Sequence, residues 1–202
     1  MFKLGRSIFF LSLVLAASAD ANSAEGATLQ VQIHDFAGLE PQALQQFLSL
    51  AERVLISTGM SVQVSLCRGS IPVSCEDRTG SPNRLVVRIV EGYAKTQESL
   101  NRLALGLSFA GQNGGAYATV FVRPAQDEAA TANVPWVVVL AYAAAHEVGH
   151  LLLGARAHTS RGVMKAKWVP SDYIAMGQDR CHFTPEQART LAKRYGADAP
   201  TL

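Results

Sequence analysis

The chain predicts an α+β fold built on five strands, in the element order β-α-β-β-β-β-α-α. Three observations carry this. Five short windows show the two-residue alternation of a half-buried strand or the continuous apolarity of a buried one. A helix-length run from Val134 to Ala145 contains no charged residue and leads into a cluster of histidines. Near the C-terminus, Thr184-Pro185-Glu186-Gln187 supplies the capping residue and first-turn proline that open a helix.

Taken in order, Thr28 to His34 alternates Leu29, Val31 and Ile33 with Gln30 and Gln32, giving a first strand. Pro41 opens a helix whose Leu44, Phe47, Leu48, Ala51, Val54 and Leu55 fall at helical spacing, and Gly59 stops it. Ser61 to Leu66 alternates again through Val62, Val64 and Leu66. Arg68 to Asn83 is rich in Gly, Pro and Ser and reads as a loop. Leu85 to Val90 is nearly all apolar and suits a more central strand. In Leu103 to Ala110 the expectation is that Leu103, Leu105, Leu107 and Phe109 face the core. Ala104, Gly106, Ser108 and Ala110 then form a small, open face. A short helix competes for this window, but the period favours a strand. Gly114-Gly115 marks a turn before a fifth strand, Ala116 to Val122. A helix follows from about Pro135 to Leu153, and the last one ends near Tyr195 and Gly196.

The chemistry concentrates in His146 to His158, reading H-E-V-G-H-L-L-L-G-A-R-A-H. Positions i and i+4 share one helix face, so His146 and His150 can grip one metal ion. Glu147 lies about 100° further round the helix, placed to act as a general base on water rather than as a ligand. Gly154 is the residue type that ends helices, which lets the chain turn back and bring in His158. Three neutral imidazoles with one open position describe a catalytic zinc site; structural sites are closed by four protein ligands. H-E-x-x-H alone is a weak pattern, and a solvated amphipathic helix would also carry it. The uncharged run before it and Leu151-Leu152-Leu153 after it argue instead for a buried helix. Burying two histidines and a glutamate is costly without a partner such as a metal.

These residues resemble the metzincin clan of zinc endopeptidases, and within it the matrixin-like catalytic domains, whose pattern is H-E-x-x-H-x-x-G-x-x-H followed by a methionine turn. His146, Glu147 and His150 match directly; Gly154 comes one residue late and His158 two residues late. Gly162-Val163-Met164 then resembles the turn, with Met164 packed beneath the metal. The resemblance implies a zincin-like, twisted five-stranded mixed sheet with an active-site helix and a C-terminal helix. It implies one catalytic Zn2+ on His146, His150 and His158, and hydrolysis of peptide bonds by water with Glu147 as general base. It also implies a substrate lying antiparallel to an edge strand. The candidate edge is Leu103–Ala110, with Leu103, Gly106 and Ser108 in the cleft and Trp168 in the wall that follows the turn.

Three alternatives stand beside this reading: a zincin whose third ligand is Glu186 or Asp172, a non-catalytic zinc-bound scaffold that serves as a binding domain, and a zinc amidase acting on cell-wall peptides. Tyr173 and His182 are expected to be structural.

Residues 1–19 read as an export signal, with Lys3 and Arg6 before the apolar Ile8–Ala17 and a small-residue cleavage site after Ala19 or Ala21. That run is too short to span a bilayer. Residues 20–202 are expected to form a single zinc metalloprotease-like domain, a periplasmic or secreted monomer acting on a peptide or protein. The net charge of +2 comes from 18 basic against 16 acidic residues, and the signal holds two of the bases and no acid. The remainder is balanced, which gives no support to nucleic-acid or membrane-surface binding. Cys67 and Cys75 flank Pro72 in an exported chain and are expected to form a local disulfide, leaving Cys181 as a small buried residue.

Overall fold

The computed structural model describes residues 28–67, 83–92, 104–110 and 116–195. The proposed export signal, the 68–82 loop with Cys75, Leu103 and the Gly114-Gly115 turn lie outside the described residues. The strands are β1 (Leu29–Asp35), β2 (Val62–Cys67), β3 (Arg84–Val90), β4 (Gly106–Ala110) and β5 (Ala116–Phe121). They form one mixed sheet in the order β2-β1-β3-β5-β4. β1, β2, β3 and β5 run parallel; β4 pairs antiparallel with β5 at the sheet edge. β3 is the central strand, as its continuous apolarity predicts.

The helices are α1 (Pro41–Ile56), α2 (Val122–Ala132), α3 (Trp136–Leu153), α4 (Pro170–Gly177) and α5 (Pro185–Tyr195). α1 buries Leu44, Phe47, Ala51, Val54 and Leu55, the helical stripe read from the sequence. Gly59 follows at φ 83°, a conformation that favours glycine. α3 is apolar all round and is long enough by length and composition to cross a membrane, but most of it is buried inside the fold. It is the core helix, packed between α1, α2 and the sheet. α5 opens with a reciprocal cap. The Gln187 N–H donates to Thr184 Oγ1 at 3.3 Å, and the Thr184 N–H donates to Gln187 Oε1 at 3.1 Å.

Two helices were not expected. α2 carries Pro124 within its first turn, where a missing N–H breaks no helix bond, so its Arg-Pro start masks a helix. α4 is only eight residues long and is held at its start by Asp172, whose Oδ2 accepts the Val169 N–H at 2.8 Å.

The faces of the edge strand are the reverse of the expectation. Gly106 and Ser108 pair with the buried Val120 and Ala118 and so turn toward the core side. Leu107 and Phe109 pair with Thr119 and Tyr117 on the other face, where Phe109 is 52% exposed and stacks on Tyr117. Alternation defines two faces but not which is covered. The register with β5 decides it, because partners directly opposite share a face.

Cys67 is disulfide-bonded, while Cys75 lies outside the described residues. Cys181 is a free, buried thiol, pushed up to about 12 by burial and then by the nearby charge of Asp172.

Candidate metal centre

The last turns of α3 place His146 and His150 on one face, and Gly154 ends the helix at φ 97° while its N–H donates to the His150 carbonyl at 2.9 Å. The chain folds back through Ala157, whose carbonyl accepts a bond from the Gln187 side-chain amide at 2.9 Å. That clamp brings in His158. Nε2 of His150 lies 3.0 Å from Nε2 of His146 and 3.0 Å from Nε2 of His158. Among the described residues, these three histidines are the group able to hold a metal ion. The acids considered as replacement ligands are placed elsewhere: Glu186 is exposed and paired with Arg189, and Asp172 is paired with Lys165.

The hydrogen bonds fix what these nitrogens offer. His146 Nδ1 lies 2.7 Å from the Val163 carbonyl oxygen, so Nδ1 is the donor and Nε2 carries the lone pair. His150 Nδ1 faces the Gly154 carbonyl at 3.3 Å in the same sense. Lone pairs pointed at one another across 3.0 Å repel unless a cation lies among them. Tetrahedral Zn–N bonds of about 2.0–2.1 Å would set the nitrogens about 3.3 Å apart, so the donor set fits zinc with a small expansion. Burial, and then the neighbouring histidines, lower His146 to about 4 against the bond from Val163; burial lowers His150 as well. Both favour the neutral, ligating form.

Glu147 is buried beside this cluster. Burial raises its carboxyl to about 7, partly offset by a hydrogen bond from the Ser108 hydroxyl. Its side chain lies against the backbone of Gly106, where an added Cβ would fall 2.6 Å from Glu147 Cγ. The small residues of β4 therefore make room for the glutamate.

Met164 is fully buried beneath the motif, with its sulfur against Gly149. Only a residue without Cβ leaves that space, a role the sequence reading did not assign to Gly149. The turn itself rests on Gly162, at φ 77°, where a Cβ would collide with the His182 carbonyl oxygen. Gly162→Ala is expected to destabilise the fold by about 3 kcal/mol, from left-handed strain plus overpacking. A thermal melt should then show Tm falling by roughly 6–12 °C; an unshifted melt would mean that the turn relaxes freely.

Trp168 sets its ring edge-on to His146 at 5.4 Å between centroids and directs Nε1–H toward the Gly162 carbonyl at 3.3 Å. It is both buried and part of the cavity wall. The cavity has a volume of about 430 Å³ and includes the three histidines, Glu147, Gly106 and Ser108 in its lining. Tyr173, expected from the sequence to be structural, also lines it, and so does Glu128, which the sequence did not single out. His182 is exposed and contributes its carbonyl to the turn.

No protein-family model matches the chain, and no curated protein matches it. Solved structures do. The chain is similar to archaemetzincin from Methanopyrus kandleri at 16% identity and a TM-score of 0.54, covering 84% of this chain and 96% of that one. It is also similar to metalloproteinase-II from Bacteroides fragilis at 14% identity and a TM-score of 0.50, covering 87% of this chain and 55% of that one. At these identities the likeness is one of fold; among its described residues this chain has a five-stranded mixed sheet and five helices, with three histidines converging beside the edge strand.

Proposed function

We propose that this chain is an exported, zinc-dependent endopeptidase. The observation that carries the reading is the convergence of three imidazole Nε2 atoms beside a buried carboxylate, in a cavity bordered by an edge strand. Zinc, when bound, supplies a Lewis acid that polarises a carbonyl and makes water a better nucleophile at neutral pH. His146, His150 and His158 would hold it through Nε2, with the Val163 carbonyl fixing the His146 tautomer. Glu147 takes a proton from the attacking water on its carboxylate and delivers it to the leaving amine nitrogen. Ser108 holds that carboxylate in place. Among the described residues no strand lies beyond β4, and an extended peptide can add there as a further strand through main-chain hydrogen bonds.

The finer likeness to matrixins rests on Gly154, His158 and Met164. Export rests on residues 1–19 and a Cys67–Cys75 link on the spacing of those cysteines; both belong to the proposal, as does a monomeric state.

The test is cleavage of a diverse peptide library by protein lacking residues 1–19, with and without a zinc chelator. Cleavage lost on chelation and restored by zinc is the expected result. If no peptide is cut while zinc is shown to be bound, the endopeptidase reading fails, leaving a binding scaffold or an amidase acting on cell-wall peptides.

A further inference from the structure

From the histidines a line of rings runs through the cavity lining. His146 meets Trp168 at 5.4 Å, and Trp168 meets Tyr173 edge-on at 6.2 Å. The buried Tyr173 donates a hydrogen bond to the carboxylate of Glu128, which α2 brings in beside α4. Among the described residues lining the cavity, Glu128 and Glu147 are the only acids. Of the two lining lysines, Lys165 is neutralised by Asp172 at 2.5 Å and Lys167 is exposed. The cavity lining also includes the apolar Ala143, Leu105 and Trp168.

From this arrangement we infer that Glu128 is a specificity-determining residue, selecting substrates with an arginine or lysine side chain next to the bond that is cut. The inference rests on the peptidase reading above and names its substrate class. A long cationic side chain suits this wall in both of its parts. Its methylene stem lies along Ala143, Leu105 and Trp168 while the charged head reaches a carboxylate, the usual division of such side chains between apolar and polar surroundings. The aromatic faces of Trp168 and Tyr173 add attraction for a cation. A carboxylate that accepts one bond from a tyrosine keeps acceptor capacity for a guanidinium or ammonium. Tyr173 is a positioning residue here, holding Glu128 toward the cavity.

The test compares zinc-loaded wild type with Glu128→Gln on peptides that differ only in the residues flanking the scissile bond, carrying arginine, lysine, norleucine or glutamate. The wild type is expected to prefer arginine and lysine at one flanking position. Glu128→Gln is expected to reduce the ratio of kcat/KM for arginine over norleucine by about 10–100-fold, the range for loss of a charge-assisted hydrogen bond. Cleavage without a cationic preference, or a preference that survives Glu128→Gln, overturns the inference and leaves the peptidase reading intact. A binding measurement decides the case without turnover. Calorimetry with the blocked tripeptides Gly-Arg-Ala and Gly-norleucine-Ala should show tighter binding of the arginine peptide to wild type and loss of that difference in Glu128→Gln. Equal binding of the two peptides by wild type overturns the inference, even if the variant fails to fold and no peptide is cleaved.

Discussion

Glu147→Gln is expected to leave the metal bound and to lower kcat by about 10²–10⁴, the usual contribution of a positioned general base. The amide is nearly isosteric and can still accept from the Ser108 hydroxyl, so the fit against Gly106 is preserved. What disappears is the site that carries a proton between water and the leaving amine. None of the three converging nitrogens belongs to residue 147, so metal content should be unchanged. Metal analysis beside single-turnover cleavage checks both halves. A variant that keeps turnover would remove Glu147 from the mechanism; one that loses zinc would show that it supports the histidine cluster instead.

Gly106→Ala is expected to lower kcat/KM by about 10²-fold with little loss of stability. A Cβ there would sit 2.6 Å from Glu147 Cγ and 3.0 Å from Oε1. Both are side-chain atoms, so Glu147 gives way while the backbones of β4 and α3 stay in place. A displacement of about 1 Å at a reacting group costs roughly that factor in rate. The melt should therefore stay close to wild type while activity falls, the opposite of Gly162→Ala, where the obstacle is a backbone carbonyl. Large destabilisation of Gly106→Ala with activity retained per folded molecule would show that the strand, not the glutamate, absorbs the methyl group.

Much of the site is legible in the chain because its spacing is local. His146 and His150 meet because a helix repeats every 3.6 residues. Gly154 can reverse the chain because it takes positive φ. His158 joins them although it stands two residues late against the metzincin pattern. What absorbs the offset is tertiary: Gln187, 30 residues beyond Ala157, pins the returning loop by its carbonyl. The helices α2 and α4 escaped notice because one opens on Arg-Pro and the other is short and weakly patterned, and with them went the placement of Glu128 and Tyr173 in the cavity.

The strands, the long apolar helix, the capped final helix and the His146–His150 pair could be read from the chain alone, since each depends on side-chain period or on neighbours within one turn. Packing between distant elements set which face of β4 looks inward, why positions 106 and 149 hold glycine, and which acids line the cavity. The physical reason is shared by all three. A strand's two faces are equivalent until pairing with β5 and cover by α3 make one of them the inside, and a missing side chain acquires meaning only from the atom that fills its place.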